Sequence, residues 1–172
     1  MFKIFFPQII FNSVQEIDFD FLRSRGIKGL IFDIDNTLVK PNEKQLGDKV
    51  LKWLKELEDC GFRLCILSNS GKRRSLEFSG RFSLNAIHGA GKPLKKGFLK
   101  TLKFLGLERS EVCMIGDQLF TDVLGANRLG IYSVCTRPIT TDEPFTVKLK
   151  RPLERLVFRA YHRAERESER EI

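Results

Sequence analysis

An apolar run, Gly29 to Phe32, leads straight into two carboxylates spaced two apart, Asp33 and Asp35, with Asn36 and Thr37 behind them. In an open α/β sheet, ligands bind at the carboxyl ends of the strands. A carboxylate projecting there can serve as a nucleophile or a metal ligand, and a second one just beyond can deliver a proton from an adjacent position. Asp and Asn are equally at home in turns and helix caps, so the pair gains meaning from how the other apolar runs end. Arg63 to Leu67 ends at Ser68-Asn69, a hydroxyl and an amide near the start of a predicted helix, where the dipole favours an anion. Glu111 to Ile115 ends at Gly116-Asp117, and Asp122 follows five residues after Asp117, so two further carboxylates can approach the same crevice. Lys92-Pro93 lies between these segments and offers one ammonium. Each of these strand ends carries groups suited to a phosphate or a divalent cation.

The elements that must position these groups are short β-rich runs alternating with longer amphipathic stretches. Candidate strands are Ile27 to Asp33, Arg63 to Ser68, Ala86 to His88, Glu111 to Gly116 and Ile131 to Cys135, the pattern of an α/β domain with a mainly parallel sheet. Leu46, Val50, Trp53, Leu54 and Leu57 fall on one helical face, and Gly61 is placed to stop that helix. Similar periodicity predicts helices over Lys72 to Phe82, Leu94 to Leu105 and Leu119 to Leu129. With no internal repeat and no flexible linker, the 172 residues read as a single domain. Its core spans about 27–137, with 1–26 and 138–172 as extensions.

In order along the chain, Asp33 to Thr37 as DxDxT, Ser68-Asn69, Lys92, and Gly116 to Asp122 as GDxxxxD resemble the motifs of the haloacid dehalogenase-like (HAD) superfamily. The stretches GIKGLIFDIDNTL, LSN with Arg73 soon after, Gly91-Lys92-Pro93 and IGDQLFTDVLGANRLG are similar to the YqeG-like branch of its subclass IIIA phosphatases. That branch is itself similar to the phosphatidylglycerophosphate (PGP) phosphatases of mitochondria. The resemblance covers roughly Ile27 to Arg137 and implies a three-layer Rossmann-like HAD core. It also implies roles. Asp33 would be the nucleophile, attacking phosphorus to give an aspartyl-phosphate. Asp35 would protonate the leaving oxygen and then, as a base, activate water. Mg²⁺ would be held by Asp33, the Asp35 backbone carbonyl, Asp117 and a phosphoryl oxygen, with Asp122 behind these ligands. Ser68, the Asn69 backbone and Lys92 would hold the equatorial phosphoryl oxygens, and Thr37 would shape the turn. Lys95 and Lys96 lie close by, and only the match to Gly91-Lys92-Pro93 selects Lys92.

Phosphatases of this superfamily carry an acid/base carboxylate two residues after the nucleophile, which its dehalogenases and pump ATPases lack, so Asp35 implies phosphomonoester hydrolysis. Many relatives insert a large cap after the first or second motif. Here 35 positions separate Asp33 from Ser68, a single helix takes most of them, and the interval from Ser68 to Lys92 is also short. A minimal cap or none is expected, leaving an open site suited to a phosphate on something bulky or surface-bound.

Thirty Lys and Arg against 22 Asp and Glu leave a formal charge of +8, which favours anionic partners: nucleic acid, phosphorylated metabolites or an anionic membrane surface. A hydrophobic content of 42% with 15 Phe and only 6 Pro argues against disordered and collagen-like classes. Cys60, Cys65, Cys113 and Cys135 form no CxxC pair and three lie in apolar runs, as expected of reduced thiols in a cytoplasmic setting. The apolar start, MFKIFFPQIIFNSV, is interrupted by Pro7, Gln8 and Asn12, and no stretch supplies the ~20 apolar residues of a membrane-spanning helix.

After Pro152, the residues Leu153, Leu156, Val157, Ala160 and Ala164 define one helical face, while Arg151, Arg155, Arg159 and Arg163 recur every fourth residue. Such a helix either packs on the core with a solvated basic face or attaches peripherally to anionic lipid at the inner membrane face, with Phe2, Ile4, Phe5 and Phe6 adding insertion. The reading that results is a Mg²⁺-dependent phosphatase of phospholipid metabolism, with PGP as substrate. Two alternatives stand beside it. Action on nucleotides or nucleic-acid ends lacks a basic stretch interleaved with base-stacking aromatics. A non-catalytic phosphate-binding scaffold is at odds with intact Asp33, Asp35, Lys92 and Asp117. The sequence carries no signal for oligomeric state.

Overall fold

The computed structural model describes residues 3–41, 43, 45–71 and 85–169. Its strands β1 (Ile9–Phe11), β2 (Gly29–Phe32), β3 (Arg63–Leu67), β4 (Asn85–Ile87), β5 (Val112–Gly116) and β6 (Tyr132–Thr136) form one parallel sheet in the order β1-β6-β5-β2-β3-β4. All five strands expected from the sequence are present, with ends displaced by two residues or fewer. The sixth, β1, lies in the stretch read as an N-terminal extension. It has three residues, all half-buried, and so no alternation to read, and its partner β6 is far along the chain.

Central parallel strands are covered on both faces and read as continuous apolar runs, and every residue of β2 and β5 is buried. Alternation along β2 sends Leu30 and Phe32 to one face, against Leu22 of α1 (Phe19–Ser24) and Leu54 and Leu57 of α2 (Asp48–Asp59). Ile31 goes to the other, against Phe98 and Leu105 of α3 (Lys95–Leu105) and Ala126 of α4 (Leu124–Asn127). The result is the three-layer helix–sheet–helix architecture of an α/β Rossmann-like fold. Gly61 ends α2 as expected: its φ is +91°, its N–H meets the Glu58 carbonyl at 2.8 Å, and the Phe62 N–H meets Leu57 at 3.1 Å. Glycine adopts that left-handed conformation without a Cβ penalty.

Two of the expected elements differ from expectation, and a third lies outside the described residues. The predicted helix over 119–129 opens with a π-helical turn, Leu119–Val123, before α4. The helix predicted over Lys72 to Phe82, with Arg73, lies outside the described residues, as does Phe2. After α5 (Phe145–Lys148), the long helix α6 (Arg151–Glu169) buries Glu154, Val157 and Tyr161 and leaves Leu153 and Leu156 more than half exposed. The inward face is therefore rotated from the apolar one read in the sequence. Polar bonds from Arg151 and Glu154 fix the first turn, and Val157 packs with Leu119, Val123 and Cys135. Cys65, Cys113 and Cys135 are buried free thiols and Cys60 is exposed; burial pushes the Cys65 thiol up to about 12. No helix among the described residues is long and apolar enough to cross a membrane.

Candidate active site

The chain leaves the centre of the sheet in opposite directions, with β3 and β4 beyond β2 and β6 and β1 beyond β5. A crevice opens at the carboxyl ends of strands where the order reverses in this way. The Asp33 N–H continues the ladder to the Ile115 carbonyl at 3.0 Å, which sets Asp33 beside Gly116-Asp117. Gly116 has a specific reason to be glycine, because a Cβ there would lie 2.4 Å from Asp122 Oδ2. The missing side chain lets the Asp122 carboxylate return from the π-turn to the strand end, where the Gln118 N–H donates to it at 3.2 Å.

Carboxylate oxygens of Asp33, Asp117 and Asp122, all buried, lie within 4.8 Å of one another. Lys92 is the lysine brought to them, whereas Lys95 and Lys96 are exposed in the first turn of α3. Its ammonium lies 2.7 Å from Asp33 Oδ1, 2.7 Å from Asp122 Oδ1 and 2.7 Å from the Leu67 carbonyl. The Asn69 side chain fixes the lysine backbone, donating to the Lys92 carbonyl at 3.0 Å and accepting from its N–H at 2.7 Å. Asp122, expected behind the metal ligands, is thus a member of the cluster itself and an ion-pair partner of Lys92.

Negative charge exceeds positive here, and the proton affinities reflect it. Burial, then repulsion from Asp122 and Asp35, pushes Asp33 up to about 6 despite the attraction of Lys92. Burial, followed by Asp122 and Asp33, holds Asp117 well above the usual carboxylate range even though Arg151 pulls the other way. Burial works against the charge on Lys92, but Asp122 and Asp33 outweigh it and raise the ammonium above its ordinary value. Asp117 gives Oδ2 to Arg151, while its Oδ1 is buried with no hydrogen-bond partner among the described residues. A cluster of hard oxygens with one buried acceptor unmatched and charge in excess fits a divalent cation of the Mg²⁺ type.

Ser68 is buried, and its Oγ accepts from the Ser70 N–H at 3.1 Å. Asp35 is half-buried at the edge of the cluster and accepts from the Ser70 hydroxyl at 2.9 Å. Thr37 is buried in the turn, with its N–H 3.4 Å from the Ile34 carbonyl; its hydroxyl has no hydrogen-bond partner among the described residues. Asn36 takes φ +62°, a conformation that Asn tolerates better than most side chains. Its amide reaches across the chain to Glu143 at 2.7 Å and the Thr140 carbonyl at 3.1 Å. The cavity over these groups has a volume of about 400 Å³. Asp33, Asp35, Ser68, Asn69 and Lys92 line it, together with Gln118, Pro144, Thr146, Val147 and Lys150.

Arg151 is a site residue that the sequence did not reveal, because its fourfold repeat with Arg155, Arg159 and Arg163 assigns it to an exposed basic stripe. Its side chain is instead 17% exposed and clasps three carboxylates. It bonds Asp117 Oδ2, the Asp117 carbonyl at 3.0 Å, Glu143 Oε2 at 3.0 Å and Glu154 Oε2 at 2.7 Å. Glu154 in turn accepts from the Leu119 N–H at 2.8 Å. The one sequence signal is position: Arg151 stands at the helix start, before Pro152, while the other arginines lie in the helix body.

Comparison with known proteins shows the family. The family model described as mitochondrial PGP phosphatase matches residues 2–140. A Bacillus subtilis (strain 168) protein named "Probable phosphatase YqeG" is 32% identical over 161 residues, covering 94% of either chain. The chloroplastic/mitochondrial phosphatidylglycerophosphate phosphatase 1 of Arabidopsis thaliana is 29% identical over 161 residues, covering 86% of this chain and 45% of that one, so this chain spans less than half its length. An uncharacterized protein from Listeria monocytogenes serotype 4b shares the fold, with a TM-score of 0.54 at 23% identity over 69% of this chain and 85% of that one. With the ordered motifs gathered at one sheet switch point, the chain belongs to the PGP phosphatase family of the HAD superfamily and is a phosphoric monoester hydrolase.

Proposed function

We propose that the protein is a Mg²⁺-dependent phosphatase acting through an aspartyl-phosphate on Asp33, with phosphatidylglycerophosphate as its substrate. The observation that carries this reading is the buried grouping of Asp33, Asp117, Asp122 and Lys92, with Asp35 at its edge. In the first step an Asp33 oxygen bonds to phosphorus as the ester oxygen leaves, and Asp35 gives that oxygen its proton. In the second, Asp35 takes a proton from water, the water oxygen attacks phosphorus, and phosphate departs with Asp33 restored. The Ser68 hydroxyl and the Lys92 ammonium meet the phosphoryl oxygens on which transition-state charge develops. Asp122 keeps Lys92 in place, and Asn69 fixes its backbone. Asp33, Asp117 and the Asp35 carbonyl would hold the cation, which when bound neutralises part of the phosphoryl charge.

The lipid substrate is supported by the family and by a stretch of chain that lines the cavity. Pro144, Thr146, Val147 and Lys150 line it. In the same stretch of chain and the helix after it, Phe145, Leu149, Leu153 and Leu156 are exposed, with Lys148, Arg155 and Arg159 exposed among them. Peripheral attachment at the inner face of a membrane follows from that exposure. Phosphate release from PGP in vesicles, nucleotides and sugar phosphates tests the reading directly. PGP should be hydrolysed, EDTA should stop release and Mg²⁺ should restore it. Asp33→Asn should nearly abolish release while keeping the fold. Wild-type rates in Asp33→Asn would end the mechanism, and preference for sugar phosphates over every lipid phosphate would end the substrate assignment.

A further inference from the structure

We infer that the outer part of the active-site cavity is a second anion subsite, in which Lys150 binds a phosphodiester carried by the leaving group. The inference rests on the phosphatase reading and adds a specificity residue to it. The cavity, about 400 Å³, lies in the range that takes a whole small ligand, whereas the reacting phosphoryl group needs only its inner end. Two cationic side chains line it among the described residues, Lys92 and Lys150. Lys92 stands with Asp33 and Asp122, where the reacting phosphoryl group would bind. Glu143, which also lines the cavity, is held by Arg151 and Asn36, and Arg151 keeps it below the usual carboxylate range although burial acts against this. Lys148 next along leans on Asp142 at 3.8 Å.

Lys150 is half-buried and has no carboxylate partner among the described residues. Its backbone is fixed where α5 meets α6, with its N–H on the Val147 carbonyl at 2.9 Å and its carbonyl accepting the Glu154 N–H at 3.0 Å. Lys150 therefore lines the cavity from a fixed backbone, with no ion pair to a carboxylate among the described residues. Gln118 and Thr146 line the same cavity and supply neutral donors. A substrate whose leaving group bears a second phosphate, one short alcohol away from the first, would span the two lysines. A charge-assisted hydrogen bond in a partly desolvated cavity is the strong kind.

The test compares two soluble substrates with Lys150→Gln and Lys150→Arg. Glycerophosphoglycerol phosphate carries both phosphates, and glycerol 3-phosphate carries the monoester alone. Lys150→Gln should raise KM for the first about tenfold with kcat unchanged, and Lys150→Arg should restore it. Glycerol 3-phosphate should lose nothing in kcat/KM. Equal losses on both substrates, or no loss on the diester-bearing one, would overturn the inference while leaving the phosphatase reading intact. Failure of the wild type to hydrolyse either monoester would count against that reading instead. Calorimetric binding of glycerophosphoglycerol phosphate to Asp33→Asn, with and without Lys150→Gln, decides the subsite in either case, because tenfold weaker binding upholds it and equal affinity refutes it.

Discussion

Asp33 is asked to be an anion where burial resists one. Its proton affinity is raised by burial, Asp122 and Asp35, and Asp117 is raised in the same direction by burial, Asp122 and Asp33. A carboxylate that binds its proton more tightly folded than unfolded removes stability as pH rises from the ordinary carboxylate range through the folded value, about 6 for Asp33. Glu143 has the opposite sign: its lowered value contributes stability above the ordinary range, lost only as the pH falls through that value. A divalent cation should relieve the strain of the first two and compete with protons for them. The rise in melting temperature on adding Mg²⁺ should therefore shrink between about pH 7.5 and about pH 5 and be reduced in Asp33→Asn. An increment independent of pH would reject this account of the cluster. Asp33, Asp35, Ser68, Asp117 and Asp122 could be picked out in the sequence because each follows an apolar run or lies a few residues from one that does, whereas Lys92 was singled out among neighbouring lysines only by the resemblance of Gly91-Lys92-Pro93. Asn36 and Glu143 could not be picked out, since they meet across 107 positions and no local pattern encodes that contact.

Strands carried their own signal because the sheet is buried on both faces, so β2 and β5 read as unbroken apolar runs. Helix α6 misled for the opposite reason. Hydrophobicity selects Leu153 and Leu156 as its inner face, but the orientation is set by the Arg151 clasp, and Glu154 is buried in their place. The clasp makes a strong demand on that element. Arg151→Gln leaves Asp117, Glu143 and Glu154 facing one another with no cation between them, and breaking such a buried pair costs about 3–5 kcal/mol. Urea denaturation should show a loss of that order, with partial recovery in Arg151→Lys, whose ammonium replaces the charge but not the fork of donors. Arg159→Gln, on the exposed side of the same helix, should stay within about 0.5 kcal/mol. If Arg151→Gln is no worse than Arg159→Gln, the clasp does not hold α6 to the strand end.

At the scale of the whole molecule, apolar and basic exposure coincide in the stretch that follows the cavity-lining residues Pro144, Thr146 and Val147. Isolated surface hydrophobics need no explanation, yet Phe145 at 77%, Leu149 at 67%, Leu153 at 56% and Leu156 at 58% fall within one short stretch. Lys148, Arg155 and Arg159 are exposed among them, and the chain carries a net +8. Arg163 is a weaker contributor to such a surface, because it pairs with Glu167 at 2.8 Å. An anionic bilayer would bury the apolar residues and neutralise the cations, bringing a headgroup phosphate to the rim of the site. Two variants separate the contributions without touching Asp33, Lys92 or Asp117. Replacing Phe145, Leu149 and Leu156 with Gln removes insertion, and replacing Arg155 and Arg159 with Gln removes about 1 kcal/mol of attraction per charge. Both should lower sedimentation with anionic liposomes, and the loss from the charge variant should vanish at high salt, where screening has already removed that attraction. Both should keep the wild-type rate on p-nitrophenyl phosphate, since the exposed side chains add little to the core. Because these residues face solvent in the fold, the variants should also melt as the wild type does, so a binding loss reports the surface rather than unfolding. Undiminished liposome binding by both folded variants would return α6 to the role of a helix packed on the core with a solvated basic face.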